Sequence, residues 1–143
     1  MQSDPTIVPA IVLSDHVVRE QGTGKLSLIG SFQGFNFPQF PVKFGRFFAT
    51  ASITNLRGQE QLRIVCRVEM TSSGHVLASA SGTITPKDKA AYDPDDVVDL
   101  AFPFADIVFS EPGKYSVVVL INNEEIGRRP FFVRPITSVN IQQ

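Results

Sequence analysis

The chain has 143 residues, 43% of them hydrophobic, with 13 Lys and Arg set against 14 Asp and Glu for a formal net charge of −1. That length suits one domain with a full core, and 10 Gly with 10 Pro point to many turns rather than low-complexity disorder. A charge this close to neutral gives no broad field for drawing in nucleic acid or an anionic membrane.

We read residues 1–143 as a single domain, with 1–8 an extended N-terminal segment and 136–143 a C-terminal tail. The opening MQSDPTIVPAIVLSD has no basic stretch, and its apolar run Ile11 to Leu13 is too short for a signal peptide or a membrane span. The first predicted strand runs from Ile11 to Arg19. Alternation places Asp15 with Ile11, Leu13 and Val17 on an apolar face and His16 on the other. A carboxylate on such a face must find donors or rise in pKa. Bonding to backbone amides where the strand bends is the expected structural role; a ligand contact at a rim is the functional one.

The turn QGTG follows. GTGK, residues 22–25, is not a phosphate loop: Arg19 stands where the first glycine belongs, and Leu26 follows the lysine. It reads as a hairpin turn that uses glycine's access to positive φ. The next predicted strand covers Lys25 to Phe35. It enters SFQGFNFPQFPVKFGRFF, residues 31–48, which holds seven of the chain's 12 phenylalanines. Alternation assigns Phe32 and Phe47 to the core. Phe35, Phe37, Phe40 and Phe44 resist placement, and two prolines oppose regular pairing between them. Either this loop folds over an open end of the core, or it presents its aromatics to a partner.

Beyond it come FFATASIT from Phe47, and LRIVCRVEM, residues 62–70, where Leu62, Ile64, Cys66, Val68 and Met70 alternate with Arg63, Arg67 and Glu69. VLASASGTIT has small residues on both faces. Val97 to Phe102, Tyr115 to Ile121 and Ile126 to Val133 complete about eight strands. NLRGQ, TSSG, TPKDKAAYDPDD, SEPG and NNEE punctuate them, and only TPKDKAAYD has room for a helical turn. This is the pattern of an all-β protein, a single antiparallel β-sandwich. Tyr115, two residues after Gly113 at the mouth of an apolar strand, is placed as the corner tyrosine of immunoglobulin-like sandwiches is, with Val117 where an antibody domain has its second cysteine. With no Trp and no disulfide pair, an immunoglobulin-like or fibronectin-like sandwich is expected rather than an antibody domain.

Asp15, the Gly24–Lys25 turn, the strand Ile29-Gly30-Ser31-Phe32, Pro38 or Pro41, and the Pro112-Gly113-x-Tyr115 hairpin together resemble a family of small bacterial proteins of unknown function. The resemblance spans nearly the whole chain. It implies an all-β fold and carries no activity.

The chemistry-bearing residues are sparse. His16 and His75 lie far apart, and Cys66 falls on a core face, so no zinc-ligand spacing exists. Asp93, Asp95 and Asp96 offer oxygen ligands without an EF-hand pattern. Neither histidine has an evident orienting partner for a nucleophile. We therefore expect no enzyme, no cofactor and no metal. Arg63, Arg67, Arg128, Arg129 and Arg134 would form a basic patch if their strands were neighbours, but Glu60, Glu69, Glu124 and Glu125 make a mixed face the expectation. One cysteine cannot form an internal disulfide, and a cytoplasmic location is the simplest reading. The expected function is a protein-interaction module with an unidentified protein partner, touching neither nucleic acid nor membrane. The alternative is a small-ligand or carbohydrate-binding sandwich that uses the Phe-rich loop. A homodimer is also expected, through that loop or through the strand from His75 to Thr85, which has no charge or proline to blunt an edge.

Overall fold

The structure, a computed structural model, describes residues 7–54, 61–84 and 97–136. The turn NLRGQ, the segment TPKDKAAYDPDD, and all but Ile136 of the tail lie outside them. Among the described residues the elements are β1 (Ile7–Arg19), β2 (Leu26–Phe32), β3 (Gly34–Phe37), β4 (Val42–Thr54), β5 (Leu62–Met70), β6 (Val76–Ile84), β7 (Val97–Phe109), β8 (Gly113–Ile121) and β9 (Glu124–Pro135). They form two sheets, with strand orders β2-β1-β4-β7 and β3-β9-β8-β5-β6. No helix of the described residues is long and apolar enough to cross a membrane.

One core fills the space between the sheets. Leu13, Phe47, Ala49, Ala51 and Ile53 of the four-stranded sheet meet Leu62, Ile64, Cys66, Val68, Val117 and Val119 of the five-stranded one. The face predicted for β5 is buried as alternation requires, except that Met70 is only half-buried. Burial pushes the Cys66 thiol up to about 12, so it stays protonated and inert at neutral pH.

Three differences from the sequence reading share a cause, which is local loss of the two-residue period. The stretch Lys25 to Phe35 is two strands rather than one. β2 ends at Phe32 in one sheet, Gln33 carries the chain across, and β3 starts at Gly34 in the other. β3 then runs parallel to β9, from Gly34 beside Phe132 to Phe37 beside Pro135, so the pairing is not antiparallel throughout. It arrives by crossing over rather than through a hairpin, and nothing forces it to reverse. Finally, β4 and β7 extend well beyond their predicted limits. They keep a single register through Phe44–Ile107, Arg46–Ala105 and Phe47–Phe104, which sets Gly45 across from Asp106. Asp106 has φ of 55°, a left-handed conformation that aspartate tolerates better than most residues. The inward phase of β4 switches across this position, so Phe44 and Phe47, three residues apart, both pack on the core.

Asp15 is exposed, not buried on an apolar face. It does share a side with Leu13, but no residue of β1 beyond Ser14 is buried, so the β1–β2 hairpin outruns the sheet that covers it. Across the hairpin, Ser14 pairs with Ser31 and His16 with Ile29, which sets Asp15 over Gly30. The GTGK segment is the expected turn, closed by Gly24 N–H to the Glu20 carbonyl at 2.9 Å and Glu20 N–H to the Lys25 carbonyl at 2.7 Å.

The crossover yields a test. A Cβ built on Gly34 would lie 2.5 Å from the Phe132 carbonyl oxygen, a backbone atom held in a strand. Gly34→Ala should therefore pry β3 from β9 and destabilise the protein by about 2–3 kcal/mol in urea unfolding. An unchanged midpoint would show that the two backbones need not lie so close.

Candidate functional site

The Phe-rich segment closes one end of the core. Phe35 is 8% exposed, and its ring centroid lies 4.6 Å from Phe32 and Phe44, 5.6 Å from Phe37, Phe47 and Phe109, and 6.0 Å from Phe131. Phe37 and Phe40 meet edge-to-face at 6.1 Å. Phe37, Phe40 and Phe44 are half-buried against this centre. Such tilted and edge-on contacts satisfy the ring quadrupoles as well as burying area. Of the four residues singled out as partner contacts, Phe35 is the one that is buried. The aromatic that does stand out is Phe132, 44% exposed, with the Arg134 guanidinium 4.7 Å over its ring. Alternation in Phe131-Phe132-Val133 was the signal for it. Beside it lies a hollow of about 390 Å³ lined by Gln33, Gly34, Phe35, Asn36, Phe132 and Arg134.

The arginines do not form a basic patch. β8 separates β5 from β9; Arg128 reaches over it from β9 to the Glu69 carboxylate on β5, which Arg67 of the same strand also holds. Arg67 Nε donates to Glu69 Oε2 at 3.1 Å and Arg128 Nη2 lies 2.9 Å from Glu69 Oε1. Beneath them Val118 is fully buried on the outer side of its sheet. Arg128 also holds Glu125 at 2.8 Å, and that hydrogen bond lowers the Glu125 pKa. Arg129 turns the other way, toward the four-stranded sheet. It donates to the Ile11 carbonyl at 2.5 Å and to the Gln33 side chain. Ile11 lies on the part of β1 that β2 no longer covers, so the guanidinium replaces a lost strand partner.

His16 on β1 and His75 between β5 and β6 belong to different sheets. Among the described residues no group of three or more His, Cys, Asp or Glu is arranged to hold a metal ion; Asp93, Asp95 and Asp96 lie outside them. The Tyr115 hydroxyl donates to the Glu111 carbonyl at 2.6 Å, while its buried ring packs on Phe109 at 5.1 Å and Phe131 at 5.8 Å. Burial raises its pKa, the bond to Glu111 opposing.

The four edge strands differ in how they are protected. Among the described residues β3 is four residues long, the seven-residue β2 contains Gly30 at a φ of 70°, and β7 carries Asp99, Pro103 and Asp106. β6 pairs with β5 on one side and with no described strand on the other, and it holds neither charge nor proline. A groove of about 350 Å³ runs between β6 and β7, where Val76 and Val108 are 41% and 51% exposed beside His75 and Asp106.

Residues 9–134 match the model of DUF6941, a family of unknown function. The chain belongs to this family. The residues that carried the resemblance sit at turns and at the closed end: Gly24 in the first hairpin, Gly30 under Asp15, Phe32 against Phe35, and Tyr115 in its corner. No curated protein matches the chain. Among solved structures, the C-terminal domain of Wzt is similar at 11% identity and a TM-score of 0.48, over 96% of this chain and 77% of that one. The Pseudomonas fluorescens alkylpurine DNA glycosylase AlkC, bound to DNA containing an abasic site analogue, is similar at 14% identity and a TM-score of 0.39, over 87% of this chain and 30% of that one.

Two substitutions separate the roles of the buried aromatics. Phe35→Ala removes the ring that six others touch and should cost about 3–5 kcal/mol in urea unfolding. Tyr115→Phe keeps the packing and loses only the bond to Glu111, so about 1 kcal/mol is expected. A raised folded-state pKa means that the hydroxyl's contribution is complete below the unfolded value near 10 and is lost as pH climbs through the folded one. The two proteins should thus converge in stability above pH 10. A constant difference across that range would remove the corner bond from the account.

Proposed function

We propose that this chain is a non-enzymatic protein-interaction module of immunoglobulin-like form, working in the cytoplasm, and that it takes its partner by strand addition along β6. The observation that carries this reading is the edge itself. Among the described residues, the nine from Val76 to Ile84 offer backbone groups with neither charge nor proline, along an edge longer than that of β2 or β3. Strand addition draws affinity from main-chain hydrogen bonds and specificity from side-chain pockets beside the edge. The groove between Val76 and Val108 is such a pocket. The corner bond of Tyr115 with Val117 buried two residues on supports the immunoglobulin-like form. A single, buried, protonated thiol supports a reducing compartment. The exposed Asp15 and His16 alternate across β1 while His75 lies beside the other sheet, and Arg67, Arg128, Arg129 and Arg134 are engaged by Glu69, Glu125, Ile11 and Phe132, which supports binding of protein rather than catalysis or nucleic-acid contact.

A small-ligand reading rests on the hollow beside Phe132, where Gln33 and Asn36 supply polar groups. It is the weaker one, because the Phe-rich segment is turned mostly inward and the Phe132 ring already carries Arg134. A glycan array and a ligand thermal-shift screen test it directly.

The edge reading is tested by affinity capture from native lysate with wild type, Ser81→Glu on β6, and Ser27→Glu on β2 as a control of equal charge. Loss of partners with the β6 substitution alone is expected. Identical partner lists for all three proteins would overturn the edge as the binding surface.

A further inference from the structure

The β6 edge is matched to itself. We infer that its occupant is a second copy of this chain, paired antiparallel across a two-fold axis at Ser81, so that two five-stranded sheets become one continuous sheet. This rests on the edge reading above and names its partner.

The register follows from the strand. The pairing of β5 with β6 shifts between Val68 and Glu69, leaving Ala78 to Ile84 as its regular part. The midpoint of that stretch is Ser81. Antiparallel neighbours in one sheet must set inward residues opposite inward ones and outward opposite outward. On β6 the inward set is Ala78, Ala80, Gly82 and Ile84, which sit across from Val68, Cys66, Ile64 and Leu62. The outward set is Ser79, Ser81 and Thr83. A two-fold axis at Ser81 places Ala78 opposite Ile84 of the second copy and Ala80 opposite Gly82 of the second copy. It places Ser79 opposite Thr83 of the second copy, and Ser81 opposite its own image. Small or apolar groups thus meet each other inside, and hydroxyls meet hydroxyls outside.

The chemistry permits close approach. A Cβ on Gly82 would meet nothing within 4 Å, so the inward side has room for a neighbour. Ser79, Ser81 and Thr83 are all exposed, and no charge is brought opposite its like anywhere along the pairing. The whole chain carries a formal charge of only −1, so long-range self-repulsion is slight. An isologous contact of this kind closes on itself and does not propagate, because each copy has one such edge engaged. The other side of the molecule does not compete, since there the chain itself runs from β2 into β3 across both sheets.

Sedimentation at micromolar concentration should show a wild-type dimer. Ser81→Glu, which sets two carboxylates face to face on the axis, should sediment as a monomer, while the neutral Ser81→Asn stays dimeric. Thermal unfolding of Ser81→Glu confirms that the exposed substitution leaves the monomer folded. The register is tested separately. Ser79→Glu with Thr83→Lys puts opposite charges across the axis and should keep the dimer, whereas Ser79→Glu with Thr83→Glu should lose it. A monomeric wild type, a dimer that survives Ser81→Glu, or equal behaviour of the two double variants overturns the self-pairing. If the dimer fails but lysate capture still depends on Ser81, only the identity of the partner is lost. If capture is also indifferent to Ser81, the edge reading falls with it.

Discussion

A Cβ at position 34 would lie 2.5 Å from the Phe132 carbonyl oxygen, so the parallel pairing of β3 with β9 exists in this form only for glycine. Much of the closed end follows from that approach. With β3 against β9, Phe35 points into the space between the sheets and becomes the hub of the aromatic cluster. The same crossing removes β2 from the first stretch of β1, before Leu13. That leaves the Ile11 carbonyl to Arg129, whose guanidinium also takes the Gln33 side chain at the crossing itself. A contact that demands no side chain thus sets the position of the largest ones. The energetic weight lies in burying rings, but the geometry that buries them is a backbone matter.

The sheets were legible wherever alternation is unbroken. In β5 the sequence names its faces residue by residue, and Leu62, Ile64, Cys66 and Val68 are indeed fully buried. Legibility fails at spacings of three. Phe32 and Phe35 both reach the core because the chain changes sheets between them. Phe44 and Phe47 both reach it because the inward phase of β4 switches between them, opposite Asp106. A period-two reading must send one member of each pair to solvent, and that is why the Phe-rich segment looked like either a plug or a sticky surface. The information was present in Gly34, Gly45 and Asp106. It becomes readable only once the pairings of β3 with β9 and of β4 with β7 are known, since each is a contact distant in sequence.

Charged residues show the complementary limit. Alternation placed Arg63, Arg67 and Glu69 together on one face, correctly, but could not say how far that face extends or what lies across it. Glu69 is buried because Arg67 and Arg128 close over it from two strands that are not neighbours. Their aliphatic stems cover Val118 while their charges are held by carboxylates, as long basic side chains do on apolar surface. Asp15 is the opposite case. Its side was read correctly and its burial was not, because strand pattern carries no information about where the covering sheet stops. Tyr115 was the easier residue, since its partner Glu111 is only four residues away and the turn between them is visible in the sequence.

The two flanks of the molecule therefore have different physics. On one, β2 and β3 are a single run of chain that passes from sheet to sheet, so the backbone closes its own edge and Arg129 finishes the closure. On the other, β6 and β7 end their sheets independently. β7 is guarded by charge and proline, while β6 ends in alanine, serine and glycine. A sequence under pressure only to stay monomeric would be expected to place a charge or proline on so long an edge, as β7 does. The hydrogen-bonding groups of β6 must be satisfied by water or by a strand. Small side chains lower the barrier to the second outcome, because they hold neither water nor charge in the way of an approaching backbone. It is this asymmetry between flanks, rather than composition alone, on which the proposal of β6 as a contact edge rests.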